Sequence, residues 1–536
     1  MTSFPYKTQP LYPAQRAILQ ASCRARGHYL AMEQGTGKSW VTLNTAAYLA
    51  LNGAIDGMIV CAPNGVHVQW ALDQIPAHMP DIIRATSYVW RSGAERTAKG
   101  KRTREALKHG KSRARVLSEP FTAFVRGSAF PIFCVNTEAV GKVPALEKAF
   151  QLMLATRRCL LVLDEASDFS SPSAVRTRTI LRYARLAPFR RCLDGTPTNG
   201  LPWDMWAAYR FLDPGILGYA PTYGAMKGAH GEWRAWERVT GARPVKLLRK
   251  ARDGTPMLKA LDRFREAVAP YTSRVTKADV LPHLPPKRFS AHYFELTPGQ
   301  TRLMRTLRAT LRATLDSGGT VTAEHVLTLA LRLQQIANGF VPLDVAWSGA
   351  VTQPTEWLMT PEENPRVNAL AAVLRARPPA HYPTIIWTRY QADLDLLRDV
   401  LTGPAWGLRV GVYDGRVSAE DRLRVKGAFM DGTLDIFLSN PAAGAKGLNL
   451  YRATSVIYYA NYFGLRRRLQ SEDRAHRIGT IAPVTYTDLI GLSGDLDPLS
   501  ARAQRESIDW TIRRALRANK SVADLLTGDA SLSDWI

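Results

Sequence analysis

Residues 28–40 read HYLAMEQGTGKSW, an apolar run that breaks into two glycines, a lysine and a serine. Gly35 and Gly37 flank Thr36 and let backbone N–H groups approach phosphate oxygens. Lys38 brings its charge to the β and γ phosphates, and Ser39 offers a hydroxyl to Mg2+. Met32 stands where the strict phosphate-loop pattern has glycine, and a structural turn could carry the same letters. A second string, LLVLDEAS at 160–167, ends an apolar run on two acids. There Asp164 could hold the metal through water, and Glu165 could orient and deprotonate an attacking water. An acid pair at a strand end can also be a helix cap. Its place downstream of the loop, within one α/β segment, favours nucleotide hydrolysis.

A third string, QSEDRAHRIGT at 470–480, sets Arg474 and Arg477 three residues apart, hence on one helix face. Arginines supplied from a second lobe can stabilise the charge of phosphoryl transfer, so hydrolysis would depend on lobe closure. In isolation RAHR would also suit a salt-bridged surface helix.

The elements that must position these residues are short apolar runs: GMIVCAP (57–63), PIFCVN (131–136), CLLVLDE (159–165) and RRCLDGT (190–196). Helix-length segments separate them, which is the rhythm of a parallel sheet covered by helices. A second series runs through PTIIWT (383–388), LRVGVYDG (408–415), LDIFLSN (434–440) and ATSVIYYAN (453–461). Two α/β lobes follow. Between them, 215–295 is rich in Trp, Arg and Lys without a convincing strand series and reads as a helical insert, and 297–340 reads as amphipathic helix. HLPPK (283–287) is stiff and extended, either a connector between moving bodies or an ordinary surface loop.

A chain of 536 residues exceeds what one core supports. Its formal charge of +25, from 71 Lys and Arg against 46 Asp and Glu, calls for an anionic partner, of which nucleic acid is the commonest. Solubility alone or an acidic membrane are the other uses of such charge. Residues 91–115 hold ten Lys or Arg and two Glu in 25 positions, either a solvated loop or a basic arm for phosphates. The five cysteines are scattered beside apolar runs and read as reduced buried thiols. The start MTSFPYKTQP has no apolar signal core and no uncharged run is long enough to span a membrane, so a cytoplasmic location is expected. No Cys or His cluster has metal-ligand spacing.

With DGTPTN at 194–199, these strings together resemble the Swi/Snf-type branch of the superfamily 2 helicases and translocases, relatives of the DEAD/DEAH-box enzymes, in the compact form found in phages and prophages. LYPAQRAIL (11–19) resembles the adenine-reading element and MEQGTGKS motif I, while IVCAPNGVHVQW (59–70) and FCVNTEAV (133–140) resemble motifs Ia and Ib. LDEAS and DGTPTN are similar to motifs II and III, TIIWTRY (384–390) to motif IV, AAGAKGLNL (442–450) to motif V and QSEDRAHRIG to motif VI. The resemblance implies an α/β chain of two RecA-like parallel-sheet lobes with helical insertions between and within them. The implied divisions are an ATP-binding lobe at 1–215, a helical insertion and linker at 216–295, a helical protrusion of the second lobe at 296–350, the second lobe itself at 351–490 and a helical brace at 491–536.

It further implies nucleotide contacts from Gln15, Gly35, Thr36, Gly37, Lys38, Ser39, Asp164 and Gln470, with Ser39 and Asp164 on the metal. Lys38 and Glu165 would act in catalysis, with Arg474 and Arg477 as arginine fingers. Thr196, Gly447 and Asn449 would lie along the interlobe cleft and link nucleotide state to DNA grip. ATP and Mg2+ are the implied cofactors and DNA the implied partner. The implied activity is DNA-dependent ATP hydrolysis driving movement on duplex or branched DNA; the alternative is a nucleic-acid-binding scaffold with weak or no motor activity. Two departures bear on this. Ser167 stands where the family often has a histidine, so coupling between motifs II and III loses a group that titrates near neutrality. FGLRRRLQ (463–470) replaces the usual element before motif VI with three added cations that would face a partner.

Overall fold

The computed structural model describes residues 4–90, 119–195, 201–236, 245–249, 257–316, 323–342, 355–379, 381–444, 448–494, 497, 500, 503 and 506–523. The chain divides into two compact units, residues 1–282 and 283–536.

In the first unit, helix α1 (Ala14–Arg24) precedes strand β1 (Gly27–Met32), and helix α2 (Lys38–Leu51) follows it. Strands β2 (Gly57–Ala62), β3 (Ala85–Val89), β4 (Phe130–Asn136), β5 (Cys159–Asp164) and β6 (Phe189–Asp194) come next. After a separate antiparallel pair, β7 (Trp233–Trp236) with β8 (Val245–Leu248), strand β9 (Thr272–Val275) returns to the main sheet. That sheet is parallel throughout, in the order β3-β4-β2-β5-β6-β1-β9. β1, β2 and β5 are buried along their whole length, as apolar strands covered on both faces must be. Successive residues enter opposite cores: Tyr29, Ile59, Phe133 and Leu161 on one side, Leu30, Val60, Cys134 and Val162 on the other. Ile18 and Leu19 of α1 and Leu43 of α2 pack on the second side, and Leu146, Phe150 and Met153 of the 144–156 helix on the first. All five cysteines are buried free thiols.

The second unit has a parallel sheet in the order β10-β17-β16-β13-β15-β14. Its strands are β10 (Lys287–Glu295), β13 (Thr384–Trp387), β14 (Val410–Tyr413), β15 (Ile436–Ser439), β16 (Ser455–Tyr458) and β17 (Val484–Leu492), with β11 (Phe340–Pro342) and β12 (Thr355–Trp357) as an antiparallel ribbon. Helices α3 (Pro298–Asp316) and α4 (Ala323–Asn338) lie between β10 and β11, and α5 (Leu465–Ala475) and α6 (Ile508–Ala523) lie either side of β17 in the chain. Leu333 and Ile336 of α4 and Ile512 of α6 meet Ile386, Leu438 and Ile457 on one face; Trp387, Phe437 and Tyr458 build the other.

All eight apolar runs noted in the sequence are strands or contain one. The segment 216–295 differs from the helical insert expected: it holds β7, β8, β9 and β10, and β9 and β10 complete the sheets of different units. Both lie at sheet edges, where one side is solvated and the sequence stays mixed, as in Thr-Ser-Arg-Val of β9. The division between units falls at 282–283, at the start of HLPPK and within the stretch 216–295 implied as insertion and linker.

Candidate nucleotide-binding site

The phosphate loop leaves β1 at Met32 and enters α2 at Lys38, with Gly35 at φ 85° and Gly37 at φ 90°. Both angles are left-handed and favour glycine. A Cβ on Gly37 would also meet Gln15 Nε2 at 2.0 Å, so α1 lies directly on the loop. Gln15 is fully buried; its Oε1 accepts Leu11 N–H at 2.7 Å, and Tyr12 Oη donates to Thr36 O at 2.7 Å. Thr36 is buried too, its hydroxyl donating to Glu33 O at 2.7 Å. Lys38 Nζ donates to the loop's own carbonyls, Met32 O at 2.8 Å and Glu33 O at 3.2 Å. Ser39 is half-buried in the first turn of α2. The loop is tied at its root by β9: Glu33 N–H donates to Val275 O at 2.9 Å, and Glu33 Oε2 accepts Lys277 N–H at 2.8 Å. Nothing in the sequence linked 272–277 to this loop.

Asp164 ends β5 and Glu165 follows with φ 56°, a left-handed turn unusual for glutamate. Both are buried. Asp164 Oδ1 accepts Glu165 N–H at 3.1 Å, Oδ2 accepts Trp70 Nε1–H at 2.8 Å, and Gln34 Nε2 of the loop lies 3.4 Å from Glu165 Oε1. Burial, then the charge of Glu165, pushes the Asp164 carboxyl up to about 6; the Trp70 N–H and Lys38 oppose this, and Asp194 adds to it. Ser167 N–H and Oγ–H both donate to Asp194 Oδ2, the first at 2.9 Å. A serine can still make the bond between motifs II and III, and here its hydroxyl spans to the DGTPTN aspartate without the titrating ring of a histidine. Gly195 lies against the loop, its Cβ position 3.3 Å from Gln34 N. Three carboxylates thus gather near one ammonium, beside a glycine loop and a serine hydroxyl. This donor set fits a hard divalent cation with a polyphosphate. Thr196 lies outside the described residues.

In the second unit α5 stops at Ala475, and the turn after it carries Arg477, whose N–H donates to Thr480 Oγ1 at 3.1 Å. Arg474 and Arg477 therefore do not share a helix face as their spacing suggested, yet both guanidiniums converge on one carbonyl. Arg474 Nη1 donates to Leu448 O at 3.0 Å and Arg477 Nη1 to the same oxygen at 2.9 Å. Arg474 is buried, with Nε on Gln470 O at 3.0 Å, while Arg477 is half-buried. Gln470 is buried beside them. Asn449 is half-buried, its Oδ1 enclosed and accepting no hydrogen bond from the described residues. Gly447 and the basic run 91–115 lie outside the described residues. Of the three cations in FGLRRRLQ, Arg468 turns inward, against expectation: it pairs with Glu472 at 2.9 Å and with Asp488, and stacks 3.5 Å over the Tyr458 ring. Arg467 is exposed and lies 4.8 Å from the Tyr462 ring centroid.

Comparison with known proteins bears on both units. The SNF2-related domain model matches residues 16–340, more than half of the chain, and the helicase conserved C-terminal domain model matches 366–479. The chain is similar to the TATA-binding protein-associated factor BTAF1 of Arabidopsis thaliana, 24% identical over 67% of this chain and 19% of that one. It is also similar to a probable chromatin-remodeling complex ATPase chain of Oryza sativa subsp. japonica, 23% identical over 84% of this chain and 36% of that one. The chain thus spans about a fifth and about a third of those relatives' lengths. Among solved structures it is similar to the Sulfolobus solfataricus SWI2/SNF2 ATPase core in complex with dsDNA, at 18% identity and a TM-score of 0.38 over 97% of this chain and 98% of that one. With the phosphate loop and its acid pair in the first matched stretch and the paired arginines in the second, the chain belongs to the SNF2-related domain family, as a Swi/Snf-type, helicase-like protein.

Proposed function

We propose that the chain is a DNA-dependent ATPase that turns ATP hydrolysis into movement along duplex or branched DNA, as in branch migration, remodelling or protein displacement. The observation that carries this reading is the gathering of Lys38, Asp164 and Glu165 around a glycine loop tied to motif III through Gln34 and Gly195. Gly35, Thr36 and Gly37 present the loop backbone to the phosphates, Gln15 reads the base, and Lys38 exchanges its loop carbonyls for phosphate oxygens. Ser39 and Asp164 would hold Mg2+, which when bound supplies positive charge to the phosphate oxygens. Glu165 takes the proton of the attacking water as that oxygen bonds to the γ-phosphorus and the bond to the β,γ-bridging oxygen breaks. Arg474 and Arg477 release Leu448 O and neutralise the leaving phosphoryl charge. Thr196, Gly447, Asn449 and Gln470 are assigned to coupling and nucleotide contact.

The net charge of +25 supports a nucleic-acid partner held mainly through phosphates. The two hydrogen bonds from Ser167 to Asp194 support a working motor over a scaffold, since Ser167 is one of the features that favour the latter. Steady-state ATP hydrolysis with and without duplex DNA tests the reading. Lys38→Ala and Glu165→Gln should each lower the DNA-stimulated rate by roughly a hundredfold or more. No stimulation by any DNA, or an unchanged rate in Lys38→Ala, would sink it.

A further inference from the structure

Behind β2 the chain forms a helical segment, Val66–Gln69, then a π-helical turn, Trp70–Gln74, then Ile75–His78. A π turn displaces one residue from regular helical spacing and is enriched at functional sites. Here it delivers Trp70, 1% exposed, to the end of β5. Its Nε1–H reaches Asp164 Oδ2 at 2.8 Å, across 94 residues of sequence. An indole N–H only donates, and a buried one requires an acceptor. The carboxylate is thereby clamped: Oδ1 takes the Glu165 N–H, Oδ2 takes the indole, and each oxygen keeps a lone pair for a cation. The segment is itself anchored, with His67 Nε2 lying 3.2 Å from Trp90 O and Asn64 N–H donating to Glu138 Oε2 at 3.1 Å.

We propose that Trp70 is a positioning residue for the metal site: its indole sets the plane of the Asp164 carboxylate and ties that plane to the 63–78 segment. The inference rests on the nucleotide reading above. An outer partner that fixes a metal ligand typically contributes roughly ten- to a hundredfold in metal affinity.

Equilibrium binding of a fluorescent, non-hydrolysable ATP analogue to the full chain, titrated with Mg2+, tests this without turnover. Trp70→Phe keeps an aromatic ring and deletes the donor. The Mg2+ concentration at half-saturation should rise roughly tenfold, while nucleotide binding in EDTA and the melting temperature stay close to wild type. A merely structural role would weaken binding in EDTA as well. Should Trp70→Phe not fold, benzothienylalanine placed at position 70 by nonsense suppression has the tryptophan shape without the N–H and carries the same expectation. A Mg2+ midpoint within about twofold of wild type in the folded variant overturns the proposal, the band being far below the effect expected of a ligand-fixing partner. If wild type itself bound no nucleotide, the nucleotide reading would fall instead.

Discussion

Ser167 does with a hydroxyl what a histidine would do with a ring that titrates near neutrality, so Ser167 brings no protonation step of its own to the link with Asp194. Hydrogen bonds to charged groups contribute about 1.5–3 kcal/mol, so Ser167→Ala should lower DNA-stimulated hydrolysis by roughly tenfold or more. The unstimulated rate should change far less, because Asp194 keeps the Ser167 N–H. Equal losses in both rates would remove Ser167 from coupling. A different residue of the same sheet sets an acid limit on stability. His28 on β1 is 2% exposed with Nε2 2.9 Å from Ser273 Oγ, and burial, then Arg191, pushes its imidazole down to about 4. The unfolded chain takes up this proton near pH 6.5 and the folded chain only near 4, so His28 costs stability as pH falls through that window. The full effect is about 3 kcal/mol, with about 2 kcal/mol of it between pH 7 and 5. Asp164 and Asp393, raised mainly by burial to about 6 and about 7, hold protons that the unfolded chain releases and so act in the opposite direction. The diagnostic is therefore a difference: thermal unfolding of His28→Gln at pH 7 and pH 5 should show a smaller acid loss than wild type, and parallel losses would refute the assignment.

Among the elements, α1 matters because it lays Gln15 over the phosphate loop, and what holds α1 is a guanidinium from β6. Arg191 is fully buried; it donates to Ser22 Oγ at 2.8 Å, Ala25 O at 3.0 Å, Arg26 O at 3.1 Å and also Ser22 O. Ser22 O and Ala25 O belong to the last turn and cap of α1, where a cation also meets the negative end of the helix dipole. Arg191→Leu takes this donor from both carbonyls and should destabilise the protein by roughly 3 kcal/mol. Nucleotide affinity should fall with it as Gln15 loosens; a stability loss at unchanged affinity would separate the helix anchor from the site. Arg191 was invisible in the sequence because RRCLDGT reads as a strand whichever face its arginines take. The same holds for other parts missed. Central strands were legible because burial on both faces leaves pure apolar runs such as Cys159–Leu163, whereas the edge strands β3, β9 and β10 keep mixed letters. That Lys38, Asp164 and Glu165 would lie near one another was legible because the Gly-Lys turn and the acid pair each follow an apolar strand of one parallel sheet. Trp70 and Lys277 were not, since they act through partners 94 and 244 residues away.

At the scale of the molecule, the two sheets define where the chain can be cut. β9 lies beside β1, the strand that launches the phosphate loop, and the first unit reaches Pro282. A fragment ending at 215, the boundary suggested by the motifs, strips β9 away and bares an apolar edge along β1, a template for aggregation. Residues 1–282 keep all seven strands and the bonds from Val275 and Lys277 to Glu33. We therefore expect 1–282 to be soluble, to unfold in one transition and to bind Mg2+-nucleotide, and 1–215 to aggregate. Arg474 and Arg477 are absent from both fragments. If those arginines complete the site, 1–282 should hydrolyse ATP slower than the DNA-stimulated full chain by roughly a thousandfold or more, the usual contribution of an arginine finger. Adding 283–536 in trans should recover part of that rate, and recover less when it carries Arg477→Ala. Hydrolysis by 1–282 alone at the full DNA-stimulated rate would place the whole catalytic apparatus in the first unit, leaving the pair on Leu448 O a purely structural clasp.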